Sequence, residues 1–166
     1  MDLERADLLE AMAERRAFLV QTLDGVSDLD AGRRTTVSEL CLGGLVKHVT
    51  QVEQGWADFI RRGAEAFPSW DDPATFEART AAFSMQPGDT VTSVLTAYAE
   101  AARRTDELVA ALPSLDLSHA TPDAPWAASV VWSARRVLLH VLGETSQHAG
   151  HADIIREALD GNKTMG

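Results

Sequence analysis

The chain has a single cysteine among its 166 residues, so it can form no intrachain disulfide. It is also short of basic side chains. Fifteen Lys and Arg stand against 25 Asp and Glu, a formal charge of −10. Nucleic acid and anionic membrane surfaces repel such a chain, so neither is an expected partner. Long apolar runs are missing too. The opening residues, MDLERADLLEAMAERRAFL, interleave charged and apolar side chains and read as neither a signal peptide nor a membrane span. The cytoplasm is the expected compartment.

There is no internal repeat, no low-complexity tract and no alternating strand pattern. His-Glu-x-x-His, Gly-x-Ser-x-Gly and phosphate-loop motifs are absent. A diiron bundle needs two Glu-x-x-His copies and two further glutamates, whereas this chain offers one Glu144-x-x-x-His148. What is present, 45% hydrophobic and 24% charged residues, is ordinary for a soluble globular protein. One domain spanning 1–166 is expected.

Helical periodicity dominates. The first segment, 2–23, places Leu8, Leu9, Met12, Leu19 and Leu23 at helical spacing and stops at Asp24-Gly25. A polar loop reaches about Thr36, and a second helix runs from near Cys41 to Arg62, stopping at Gly63. Its Gly43-Gly44 pair is poor helix material, which close packing of another backbone would explain. A long connection, 63–88, holds Pro68, Pro73 and Pro87 and has room for a short helix from Pro73 to Phe83. The third long helix runs from Asp89, the expected N-cap, to Leu112, and the fourth from near Trp132 to Leu159 before Asp160-Gly161. The expected class is all-α, a four-helix bundle whose long 63–88 link crosses one end and sets helices 2 and 3 parallel.

Two apolar stripes carry polar intruders. Cys41, Leu45, His48, Val52, Gly55 and Phe59 share one face of helix 2, with His48 in its middle. On helix 4, His140, Glu144, His148 and His151 sit where Val137, Val141, Ile155 and Leu159 point to the core. Burying imidazoles and a carboxylate is costly unless each is bonded or bound to something. A lone core histidine usually bonds a carbonyl, but four such groups with a matched histidine on another helix point to a divalent-metal site. Two imidazoles and one carboxylate suit Zn²⁺ with a fourth position open, and the same set serves Fe(II). One ion cannot easily take the whole ladder, since an i, i+8 pair lies about 12 Å apart. Glu144 with His148 is the central choice, leaving His140 and His151 as supporting or pocket residues. Cys41 lies about 10 Å along the axis from His48 and reads as a small buried hydrophobe rather than a nucleophile. His119 falls in a connector and is expected at the surface. Trp56 and Trp126 are candidates to wall a pocket mouth. The Arg pairs 33/34, 61/62, 103/104 and 135/136 read as solvated helix edges, or as places for a local basic pocket.

The segments LGGLVKHVTQVEQGW and LLHVLGETSQHAGHADIIREALDG resemble the DinB/YfiT-like metalloprotein superfamily, in its actinobacterial branch of small DinB-like proteins. Order and spacing agree over essentially the whole chain. The resemblance implies a DinB-like four-helix bundle of unusual connectivity. Many members bind a metal through three histidines, one on helix 2 and two at i, i+4 on helix 4. Here Glu144 takes the first helix-4 position, as in the mycothiol-dependent maleylpyruvate isomerases, whose zinc takes His, Glu and His. The resemblance thus maps metal ligands onto His48, Glu144 and His148. Zn is the expected ion, with Ni or Fe as alternatives. It also implies a metal-dependent S-transferase that joins a low-molecular-weight thiol such as mycothiol to an electrophilic co-substrate, with a homodimer as an expected assembly. The rival readings are a non-catalytic metal-binding or stress-related bundle and a metal-assisted hydrolase.

Overall fold

Each long helix begins where a small polar side chain takes over an orphan backbone N–H. The computed structural model describes residues 2–69, 72–124 and 128–164. Helix α1 (Leu3–Gln21) is capped by Asp2, and α6 (Ala134–Asp160) by Ser133. Helix α5 (Val91–Ala111) opens on a reciprocal Thr90–Ser93 capping box. Thr90, not Asp89, is therefore its N-cap; the Asp89 carboxylate is taken by Lys47 and by the Gln86 N–H. Helix α3 (Leu42–Arg62) ends at Gly63, whose φ of 65° only glycine adopts readily. The Gly161 turn at φ 82° closes α6 in the same way. The expected polar loop after α1 contains a single helical turn, α2 (Asp28–Ala31), and the long connection contains α4 (Pro73–Ala82).

Side-chain partners fix the directions of the four long helices. Arg135 at the start of α6 pairs with Glu4 at the start of α1. At the other end, Arg156 Nη1 donates to the Thr22 and Asp24 carbonyls, both at 2.8 Å, so α1 and α6 run parallel. His48 lies beside His148 while Trp56, two turns on, lies beside His140, so α3 runs against α6. Lys47 near the start of α3 pairs with Asp89 just before α5, so these two helices run the same way. Arg5 donates to the Leu112 carbonyl at 2.8 Å, setting α5 against α1. The order is up, down, down, up. Residues 63–90 carry the chain back from the end of α3 to its beginning, the crossover that its length implied.

Gly44 makes that return path possible. A Cβ there would collide with the Phe83 carbonyl and the Ser84 nitrogen, so the crossover backbone lies directly on α3, as the glycine pair suggested. Gly43 faces the Met85 side chain instead.

The protein is mostly helical, 67% of it, yet the described residues include a small two-stranded sheet that the sequence does not announce. Strand β1 (Ser118–Ala120) pairs antiparallel with β2 (Val131–Ser133), His119 opposite Trp132. Three residues per strand are too few to show a period of two. Among the described residues no helix is long and apolar enough to cross a membrane.

The core divides into two apolar layers. One gathers Leu19, Leu45, Val49, Tyr98 and Ile155, the other Met12, Phe59, Val109, Val137 and Val141. Between them lies a polar layer. Arg16 and fully buried Glu53 form an ion pair there, and Asp106 takes the Arg16 Nη1 at 2.8 Å.

Candidate metal centre

His48 projects from α3 about a turn and a half before Glu53, and Glu144 and His148 project from one turn of α6. One donor atom from each of the three lies within 4.8 Å of the other two, close enough for one ion to be shared after small side-chain rotations. Among the described residues no other trio of histidine, cysteine or carboxylate side chains comes together in this way. His148 is buried, and the other two are half-buried.

Each donor is oriented by a neighbour. His148 presents Nε2 to Glu144 Oε2 at 3.5 Å and Nδ1 to His151 Nδ1 at 3.4 Å. Its outward nitrogen is thereby engaged from behind, the usual support for a metal-binding imidazole. The other carboxylate oxygen, Oε1, has His140 Nε2 at 3.9 Å. The His48 ring stacks on Phe83 with centroids 4.0 Å apart and meets the His148 ring edge-on at 4.8 Å. Phe83 reaches His48 because the crossover is seated on Gly44.

Electrostatics leave the imidazoles uncharged. Burial, with smaller contributions from His148 and Arg79, pushes His48 down to about 4. Burial also lowers His148 and His140, against the opposing pull of Glu144. Two neutral imidazoles and a carboxylate therefore converge with their lone pairs available at neutral pH. Among the described residues no lysine or arginine forms an ion pair with Glu144; its partners are His140 and His148. That donor set fits a divalent ion.

His140 stands edge-on to both Trp56 and Trp132, which stack on each other at 4.8 Å. Trp56 thus walls the cluster on its His140 side, while Trp126 lies outside the described residues. Cys41 is buried at the start of α3, its sulfur 3.7 Å from the Phe83 carbonyl, and takes no part in the trio. His119 is not at the surface as expected. The β-ribbon folds it inward, half-buried, with Nε2 3.2 Å from the Ile60 carbonyl and its ring against Gly63. The Arg pairs follow their solvated reading where partners are seen: Arg103 and Arg104 hold Glu100, Arg135 holds Glu4 and Asp116, and Arg62 reaches Asp58.

Phe83 and the Arg16–Glu53 pair escaped the sequence reading. Arg16 falls between Met12 and Leu19 at helical spacing, and Glu53 between Val49 and Ile60, the same signal that exposed His48. Nothing local marks Phe83, whose place depends on the crossover path.

A protein-family model described as mycothiol-S-transferase matches residues 7–161. No curated protein matches the chain. The family match spans nearly the whole bundle, including all three site residues, and the chain belongs to this family, within the DinB-like superfamily.

Proposed function

We propose that this member of the mycothiol-S-transferase family joins a small-molecule thiol of the mycothiol class to an electrophilic co-substrate, at a zinc-binding centre formed by His48, Glu144 and His148. The observation that carries the reading is the trio itself: three converging donors, two of them neutral imidazoles, whose single negative charge has no lysine or arginine ion-pair partner among the described residues. A divalent ion held by these three residues would lower the pKa of a thiol bound to it, from roughly 8.5 toward neutrality. Zinc suits the donor types best.

The chain's own groups do the rest. His151 engages the outward nitrogen of His148, which helps hold the ring's direction. His140 steadies the Glu144 carboxylate from the Trp56–Trp132 side. Phe83 fixes the plane of His48 by stacking. The aromatic wall of Trp56 and Trp132 gives an apolar electrophile a surface to lie against and thins the water around the sulfur. In the transfer the thiol S–H bond breaks and its proton passes to solvent. A sulfur–carbon bond forms, and the leaving group departs with its electron pair. The cytoplasm, where low-molecular-weight thiols stay reduced, is the compartment this chemistry calls for.

The test is metal analysis of the purified protein, followed by conjugate formation from mycothiol and a haloarene. Wild type should carry one divalent ion per chain and turn over, and Glu144→Ala should do neither. A metal-loaded wild type no faster than Glu144→Ala with every thiol tried would overturn the transferase reading in favour of a non-catalytic metal-binding bundle.

A further inference from the structure

The crossover does more than return the chain to the start of α5. Helix α4 places Thr75, Arg79, Ala82 and Phe83 at i, i+4, i+7 and i+8, one face of a helix. Thr75 and Ala82 are buried on that face, and Phe83 stacks on His48. The opposite side carries Ala74, Glu77, Ala78, Thr80 and Ala81, all exposed. Arg79 therefore leaves α4 on its packed side, one turn before the residue that touches His48. Its stem starts from the packed face while the side chain as a whole reaches water. The electrostatics agree with this placement. Burial strips enough water from the guanidinium to lower its pKa, and Arg79 is among the charges that lower His48.

A fixed positive charge beside a cation-binding trio does nothing to hold the cation, which it repels. What it strengthens is the pull on anions. With a divalent ion bound, the trio carries one net positive charge, which a thiolate matches. Arg79 adds a second, which matches a further negative charge brought by the other substrate. We infer that Arg79 is a specificity-determining residue for the co-substrate, and that the electrophile carries a carboxylate which this guanidinium receives. The inference rests on the transferase reading. A guanidinium pairs with a planar carboxylate through two parallel N–H···O bonds, so one arginine is enough for that group. The other arginine near the cluster is placed differently. The Arg136 guanidinium lies 4.3 Å over the Trp132 ring, next to His140 rather than His48. In the transfer the sulfur bonds to the carbon that bears the leaving group, which departs with its electron pair. The thiol proton passes to solvent, and the carboxylate is carried unchanged into the product.

Two haloarenes that differ only in charge test the assignment, a chloronitrobenzoate and the matching chloronitrobenzamide, each supplied with mycothiol to the zinc-loaded protein. The ratio of their kcat/KM values, carboxylate over amide, cancels whatever affects both alike. In Arg79→Gln that ratio should fall about tenfold or more, and in Arg79→Glu further still, while Arg79→Lys recovers part of it. Arg136→Gln removes the same charge beside Trp132 and should keep the wild-type ratio. Calorimetric binding of unreactive nitrobenzoate and nitrobenzamide supplies a readout besides turnover. Wild type should bind the carboxylate more tightly than the amide, and Arg79→Gln should lose that preference. Circular dichroism checks the helical content of every variant. An unchanged ratio in Arg79→Gln, an equal fall in Arg136→Gln, or no binding preference in wild type would each overturn the assignment. Absence of turnover with both haloarenes would count against the transferase reading instead, and the binding comparison would still decide whether Arg79 receives a carboxylate.

Discussion

Between α1 and α3, Arg16 and Glu53 bury a guanidinium against a carboxylate, and Asp106 takes up a further guanidinium N–H at 2.8 Å. About a turn and a half along α3, His48 meets Glu144 and His148 between α3 and α6. Both clusters put charge into an apolar bundle, and both interrupt an apolar stripe. The first is closed by the protein: every charge has an opposite within reach, and Glu53 is fully buried. The second has a negative charge answered by uncharged imidazoles, and two of its three members are only half-buried. A buried ion pair complete in itself holds helices in register. A cluster whose negative charge meets only uncharged imidazoles has a place for a cation, and under the proposed function burial of polar groups serves stability in one place and chemistry in the other.

Four measurements would break or sharpen that contrast. The largest effect is expected from His148→Ala or Glu144→Ala. Conjugate formation should fall to the uncatalysed background and bound metal from one ion per chain to none, while circular dichroism shows the same helical content. A variant that loses its fold along with its metal would erase the distinction between the clusters.

Glu53→Ala should have the opposite profile. Removing one partner of a buried pair leaves Arg16 uncompensated and costs about 3–5 kcal/mol of stability. Denaturant unfolding of the metal-free protein measures this, and the surviving folded protein should still bind metal at His48, Glu144 and His148.

His151→Ala should be milder than loss of a ligand. It frees the outward nitrogen of His148 and should weaken metal affinity about 10–100-fold, read by competition with a chromogenic chelator. Unchanged affinity would mean that the 3.4 Å contact with His148 does nothing for the site.

The smallest effect is a pH dependence of the metal-free fold. His48 is lowered from the ordinary 6.5 to about 4, and His148 and His140 are lowered in the same direction. The unfolded chain therefore binds more protons than the folded one between about 4 and 6.5, and stability rises with pH across that window. Unfolding free energy should be flat just above 6.5 and decline as the pH falls toward 4, with a shallower decline in His48→Phe. Bound metal should for the same reason persist below pH 6.5, where ordinary imidazoles would already be protonated.

Much of this molecule can be read directly from its residues. The helix ends at Gly63 and Gly161, the crossover between α3 and α5, and the meeting of His48 with Glu144 and His148 all follow from periodicity, breakers and polar interruptions of apolar stripes. What escaped has physical reasons. The β-ribbon is three residues deep, below the length at which alternation registers. His119 is drawn inward by that ribbon and by a Gly63 that offers room for its ring, a tertiary fact with no local sign. Phe83 reaches His48 only because a backbone can lie on Gly44. Arg16 and Glu53 did carry the signal, but a charged residue in an apolar stripe reads as a surface edge until its counter-charge on another helix is known.

The first and last long helices of the chain lie side by side, pinned where Arg156 grips the Thr22 and Asp24 carbonyls. During synthesis α1 emerges well before α6 and must wait for it. Until then its inner face, Met12 and Leu19, has only α3 and α5 to shelter against. The His48, Glu144 and His148 cluster closes in the same final act, since His148 arrives about a hundred residues after His48. A nascent chain halted short of residue 156 should therefore stay open, sticky and sensitive to protease, and release of the last two turns should convert it at once to a resistant form.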